Sequence, residues 1–237
     1  MAQDRPGTLM PADPQIERMR SFALCAIQAR SSIFYWIDDR QEMADVSFSG
    51  TCERNFHLYH GGMKRYDPLN IPRLVGAGKR VFTLQRDYGL APARDFARYQ
   101  DYLQQGEVAD VLDFIFWDGE VAVAGLGIIK HPGEPPLCEA SMNLAYSMQP
   151  FIEYTLASHP RLRERRVNER LSRHSGLTRR EIEIAGLICQ GLTNQDLGEV
   201  LGIGLGTVKT HVARLFTKLG IENRASLVSR IAQLAAA

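Results

Sequence analysis

Hydrophobic positions along this chain recur at two periods, and the switches between them mark its elements. Ile16, Met19, Ala23 and Ile27 recur at spacings of three and four, which predicts a helix from Pro14 to Ser31. Ile33 to Ile37 is a short apolar, aromatic run closed by Asp38-Asp39. Val46–Phe48 is a second run that stops at Ser49-Gly50, and both predict strands. Cys52–His60 predicts a helix ended by Gly61-Gly62, Tyr66-Asp67-Pro68 a break, and Arg80–Leu84 a strand. Pro92–Gln105 predicts a helix that stops at Gly106. Val111–Trp117 and Glu120–Ile129, joined by Asp118-Gly119, give the strongest hairpin signal in the chain. After the loop Pro132–Pro136, Leu137–Ala157 predicts a long helix bent at Pro150.

The order α-β-β-α-β-α-β-β-α implies an α+β domain: an antiparallel sheet of five strands with helices on both faces, an α/β/α sandwich large enough to enclose a ligand pocket. The run Arg161-Leu162-Arg163-Glu164-Arg165-Arg166 is rich in charge and poor in apolar residues. It separates residues 1–160 from a C-terminal piece, with 161–174 as linker and 175–237 as a second domain.

That second domain is helical throughout. Thr178 with Glu181 is a capping box opening a helix to Cys189. Thr193 caps a second helix whose stripe is Leu197, Val200 and Leu201, and Gly202-Ile203-Gly204 turns the chain. A third helix begins near Gly206-Thr207 and places Val208, Val212, Leu215, Phe216 and Leu219 on one face. Gly220 ends it, and a fourth carries Leu227, Val228, Ile231 and Leu234. Helix, short glycine turn and helix is the helix-turn-helix pattern, whose second helix enters the major groove of DNA. The polar face of the third helix carries Thr210, Ala213, Arg214 and Thr217, flanked by Lys209, His211 and Lys218. These side chains suit phosphate contact, and Lys209 also matches guanine acceptors.

Charge changes the picture once it is divided. The chain of 237 residues has 28 Lys+Arg and 27 Asp+Glu, a net of +1 that on its own argues against nucleic acid. Residues 161–237 hold 13 basic and 7 acidic side chains, a net of +6, against −5 for residues 1–160. The neutral whole conceals an acidic body and a basic tail piece. No apolar run approaches the roughly 20 residues that span a bilayer. Met1–Pro14 lacks the apolar core of an export signal, so a cytoplasmic protein is expected. The four cysteines form no CxxC pair and are expected to be reduced, small, buried side chains rather than zinc ligands. No Gly-rich phosphate loop, Gly-x-Ser-x-Gly elbow or paired catalytic carboxylates are present, so no enzyme and no cofactor are expected.

The string Leu177-Thr178-Arg179-Arg180-Glu181-Ile182-Glu183-Ile184, then Gly191-Leu192-Thr193-Asn194-Gln195-Asp196-Leu197, Thr207-Val208-Lys209-Thr210-His211 and Lys218-Leu219-Gly220 resembles the LuxR-type DNA-binding domain of the LuxR/FixJ superfamily. The resemblance implies a four-helix domain that binds double-stranded DNA as a homodimer and works with RNA polymerase. It implies Asn194 at the start of the scaffold helix, Lys209, Thr210 and Ala213 facing bases, and Thr207, His211, Arg214 and Lys218 at phosphates. Ala213 stands where some members carry a basic reader, and Gly198 where the family usually has Ala.

The first domain is similar in element order to the autoinducer-binding domain of quorum-sensing LuxR proteins. A generic PAS- or GAF-like sensor has the same order. Tyr66-Asp67-Pro68 resembles the family's Asp-Pro, whose Asp accepts a bond from a ligand amide, a charge-assisted bond. Phe56, Tyr59 and Phe82 fall near its aromatic pocket positions. The implied partner is a small-molecule effector. No Trp lies between 50 and 66 to donate to a lactone carbonyl, which turns the expectation from an acyl-homoserine lactone toward another apolar or aromatic metabolite. The alternative is a response-regulator-like or ligand-independent regulator controlled by protein partners: Asp38-Asp39 follow a strand as a receiver's acidic pair does, Lys130 follows another, and Asp87 is the best phosphoacceptor candidate. A helix ahead of the first strand and the lack of βα alternation count against it. His57 and His60 have metal-ligand spacing ahead of Asp67, but isolated His pairs are usually structural and no metal is expected.

Overall fold

The computed structural model of this chain describes residues 8–50 and 52–236. Met1–Gly7, on which part of the export-signal reading rests, and the Cys52 side chain lie outside them. The chain divides between Leu156 and Ala157 into two compact units. Among the described residues no helix is long and apolar enough to cross a membrane.

The N-terminal unit is a six-stranded sheet. Its strands are β1 (Thr8–Leu9), β2 (Ser31–Ile37), β3 (Met43–Ser49), β4 (Val81–Thr83), β5 (Asp110–Asp118) and β6 (Val121–Lys130), in the spatial order β1-β3-β2-β6-β5-β4. All neighbours are antiparallel except the unanticipated two-residue β1, which lies parallel to β3. The hairpin at Asp118 closes over Gly119-Glu120, with Gly119 in the left-handed region at φ 63°. The helices of this unit are α1 (Pro14–Ile27), α2 (Cys52–Leu58), α3 (Ile71–Ala77), α4 (Leu84–Asp87), α5 (Ala93–Gln105) and α6 (Glu139–Ala157), which continues through Pro150.

Alternation along the strands gives the sheet two apolar faces. Phe34, Trp36, Leu112, Phe114, Phe116, Leu126 and Ile128 are buried on one, the side of α1 and α6. There Gln15 of α1 donates to Thr155 O of α6 (2.8 Å), and Gln149 of α6 donates to Ile115 O (3.2 Å). Tyr35, Ile37 and Ile115 turn to the other face and pack with Phe56, Leu74, Tyr99 and Leu103 from α2, α3 and α5. The expected α/β/α layering is present.

The receiver-like features have local structural work instead. Asp38 Oδ1 accepts from Arg40 N and Glu42 N, each at 2.9 Å, and shapes the β2–β3 turn. Asp87 accepts from Thr83 N (3.0 Å) and Lys79 Nζ (2.8 Å). Lys130 is 2% exposed and donates to Ile27 O (3.1 Å) and Gln28 O (2.7 Å), satisfying carbonyls at the C-terminus of α1. The sheet is antiparallel around these residues, unlike a receiver's.

The C-terminal unit contains α7 (Pro160–Ser175), α8 (Arg179–Cys189), α9 (Asn194–Leu201), α10 (Leu205–Leu219) and α11 (Arg224–Ala236). Residues 160–175 are helical, and their Val167 and Leu171 are buried in one cluster with Ile184, Leu197, Val208, Leu215 and Leu227. Two capping boxes start the first helices of the motif: Thr178 with Glu181, and Thr193 with Asp196. Gly202, at φ 62°, ends α9. A Cβ at Gly198 would stand 2.9 Å from Ile203 O, so the turn into α10 passes where an alanine methyl would sit. Two apolar residues assigned to buried stripes are on the surface: Val200 is 61% and Val228 43% exposed, because α9 and α11 bury narrower strips than their spacing implied. Cys25, Cys138 and Cys189 are likewise exposed rather than buried, at helix positions facing away from the two cores or, for Cys138, just ahead of α6.

Candidate functional site

The chain builds two places with the chemistry of recognition, one in each unit. In the N-terminal unit a cavity of about 100 Å³ lies between the sheet and α2 and α5. Tyr35, Asp113, Phe56, Tyr59, Asp67 and Tyr99 are on its wall, with Tyr102 and the strand residues Ile33, Val111 and Ile129. Glycines in β6 make room for two of them. A Cβ at Gly125 would lie 2.3 Å from the Tyr35 ring, and one at Gly127 would lie 2.9 Å from Asp113 Oδ1. Any side chain at either position would displace its neighbour.

The backbone ahead of Asp67 turns sharply. Gly62, at φ 147°, closes the π-turn Tyr59–Met63, and a 3-10 turn Lys64–Tyr66 follows. Pro68 confines Asp67 to extended backbone, observed at φ −65° and ψ 120°. The Asp67 carboxylate then accepts from Leu69 N (2.8 Å, an Asx turn), from Tyr59 Oη (2.8 Å) and from Tyr99 Oη. Burial pushes its carboxyl up to about 6 against the pull of these bonds. Burial also lifts Tyr59 and Tyr99 well above the ordinary phenol value, with Asp67 adding to the rise.

Of the residues expected to hold an effector, Phe56, Tyr59 and Asp67 reach the cavity. Tyr66 and Phe82 do not line it. The Tyr66 hydroxyl bonds Arg98 Nη1 (2.8 Å), with the Arg65 guanidinium over its ring, and Phe82 is fully buried in the core. His60 packs against Phe56 at 4.3 Å between ring centres, the two rings tilted by 59°, and His57 is exposed. Among the described residues no group of three or more His, Cys, Asp or Glu is placed to hold a metal. Sequence reasoning missed Tyr35, Tyr99, Tyr102 and Asp113. For Asp113 the signal was present: it is the one charged residue in the apolar run Val111–Trp117.

In the C-terminal unit α10 presents a polar surface. Val208, Val212 and Leu215 are buried, while Thr207, Lys209, Thr210, Ala213, Arg214 and Thr217 are exposed and His211 is half-buried. Thr210 Oγ1 donates to Gly206 O (3.0 Å), leaving its oxygen as an acceptor. Among the described residues neither Lys209 nor Arg214 has a hydrogen-bond or ion-pair partner. At Gly204 no side chain caps the helix, so its first N–H groups are open to water or an anion. Two of the expected contacts are already engaged. Lys218 Nζ donates to Glu181 Oε2 (2.7 Å) and Gly176 O (3.0 Å), which ties the end of α10 to the start of α8. Asn194 Oδ1 accepts from Arg224 Nη1 (3.4 Å), while Arg224 also holds Leu192 O.

Residues 175–231 match the family described as bacterial regulatory proteins, luxR family. Over 76 residues the chain is 40% identical to the transcriptional regulatory protein LiaR of Bacillus subtilis (strain 168), which is 32% of this chain and 36% of that protein. The chain thus matches only about a third of that relative's length, at 36%. Over 212 residues it is 24% identical to the monoamine regulon transcriptional regulator of Klebsiella aerogenes, covering 86% of this chain and 84% of that one. The crystal structure of Escherichia coli SdiA aligns with a TM-score of 0.47 and 15% identity, over 95% of this chain and 92% of that chain. The C-terminal domain of this chain is therefore a helix-turn-helix domain of the luxR family of bacterial regulatory proteins.

Proposed function

We propose that the chain is a one-component transcription regulator. Its C-terminal domain binds double-stranded DNA through α10, and its N-terminal unit senses a small molecule in the aromatic cavity. The observation that carries this reading is the exposed face Thr207, Lys209, Thr210 and Arg214, with two cations that have no partner among the described residues, on a helix of a family of DNA readers. The net charge of +6 in residues 161–237 favours a polyanion, and that of −5 in residues 1–160 keeps the N-terminal unit off it. The 24% identity to a monoamine regulon transcriptional regulator, over most of both chains, supports a role of the whole chain in transcription regulation.

In this reading two copies bind a palindromic site, one half-site each. Thr207 and Arg214 meet phosphates, and Lys209 and Thr210 meet base edges. The effector acts by binding two states unequally. Fluorescence anisotropy with duplex DNA tests the first half. Affinity falls steeply between low and moderate salt, because phosphate contacts release counterions. Affinity that is flat with salt would overturn it.

A further inference from the structure

Asp113 is a buried acid that the described contacts around it do not explain. It sits in the middle of β5, is 7% exposed, and faces the cavity across from Gly127. Among the described residues none donates a hydrogen bond to it, nor to the Tyr35 hydroxyl beside it on the same wall. Asp67 is different: a backbone N–H and two tyrosine hydroxyls already fill most of its acceptor sites. A buried carboxylate with no donor is costly, and in a natural chain it marks a site completed by something else.

The composition of the wall says what that is. Among the described residues two carboxylates line the cavity, and no Lys, Arg or His does. Burial first, then the neighbouring Asp67, lifts the Asp113 carboxyl well above the usual range, as expected of an acid lacking a counter-charge. A ligand must therefore bring both donors and positive charge. An ammonium brings three N–H donors and a full charge, and the rings of Tyr35, Tyr59, Tyr99 and Phe56 offer the electron-rich faces that attract cations. The volume of about 100 Å³ is below the roughly 150 Å³ that admits a benzene ring, so the partner is small.

We propose that the cavity binds a small protonated primary amine. Asp113 and Asp67 hold the ammonium, and the aromatic wall holds the hydrocarbon part. The proposal rests on reading the N-terminal unit as a small-molecule sensor, and it makes Asp113 rather than Asp67 the principal ligand group.

The test uses the full chain, with calorimetry and thermal shift. The probes are n-propylamine and n-butylamine, their neutral counterparts 1-propanol and 1-butanol, and the anion butyrate. The amines are expected to bind about tenfold or more tightly than the alcohols, and butyrate not at all. Asp113→Asn removes that preference while keeping a cooperative melt. Gly127→Ala, which crowds Asp113 Oδ1 without changing charge, weakens amine binding more than alcohol binding. Alcohols that bind as well as amines, or an Asp113→Asn variant that still prefers amines, overturn the amine proposal and leave the sensor reading standing. Failure of all five probes at millimolar concentration overturns both.

Discussion

Asp113→Asn keeps the shape of the side chain and removes its charge. In the folded protein Asp113 is 7% exposed and receives no hydrogen bond from a described residue, and burial with the neighbouring Asp67 raises its carboxyl well above the usual range, so ionising it in the fold is penalised. Leaving a buried polar group unsatisfied costs about 1–3 kcal/mol, more for a charge. The Asn amide carries that same cost, so the variant regains only the penalty specific to the charge, about 1.4 kcal/mol for each pH unit over which the folded chain keeps its proton, on the order of 1–3 kcal/mol at neutral pH. For a domain of this size that is roughly 2–10 °C in Tm. The gain has a definite pH dependence. The folded-state carboxyl is raised above the unfolded value, so as pH climbs past about 4 the unfolded chain loses a proton that the folded chain keeps. Wild-type stability then declines until the raised value is passed, and the variant does not share this component. The gap between the two should be near zero below about pH 4 and widen toward neutrality. Asp67, at about 6 and not mutated, contributes its own decline between about pH 4 and 6 to both proteins. Calorimetric melts from pH 4 to 8 read this directly. A variant no more stable than wild type at pH 7.5, or a gap that does not change with pH, would refute the reasoning.

Asp67→Ala should act in the opposite sense. It strands the Tyr59 and Tyr99 hydroxyls and Leu69 N, so the stability of the N-terminal unit falls by about 2–4 kcal/mol, read by urea denaturation. Lys218→Met should lower stability by about 1–3 kcal/mol, because Glu181, with 4% of its side chain exposed, loses its cation. The slope of log affinity against log salt should stay the same, and a slope reduced by about 1 would instead make Lys218 a phosphate contact. Arg214→Ala should reduce that slope by about 1 with little change in Tm. Lys209→Ala should cost about 1–3 kcal/mol of binding at one base position and relax specificity there, read by competition with single-base operator variants.

The C-terminal domain was legible because its signals are local. Capping boxes at Thr178 and Thr193, glycine turns at Gly202 and Gly220, and the Val208–Leu219 stripe each act within a few residues. The sheet was also legible, from alternation and the Asp118-Gly119 turn. What escaped depends on distant partners. β1 has two residues and exists only through β3. Helix α3 is short and carries Pro72 and Gly76. Lys218 looked like a free cation until the fold brought Glu181 to it across 37 residues. The cavity is the clearest case. Tyr35, Tyr99 and Asp113 come from three separated segments, and the space that admits Tyr35 and Asp113 is provided by the missing side chains of Gly125 and Gly127 on a neighbouring strand. A one-dimensional pattern carries an odd charge in an apolar strand, but not the glycine opposite it.

The proposed regulation depends on α10 reading DNA. Selection of binding sequences from a random-duplex pool by the full chain tests it most directly, run beside a Lys209→Ala/Arg214→Ala variant with the same melting behaviour. The full chain should enrich an inverted repeat with half-sites about one helical turn apart, roughly 10 base pairs, and the variant should enrich none. Enrichment of the same repeat by both proteins, or of no sequence by either, would contradict it.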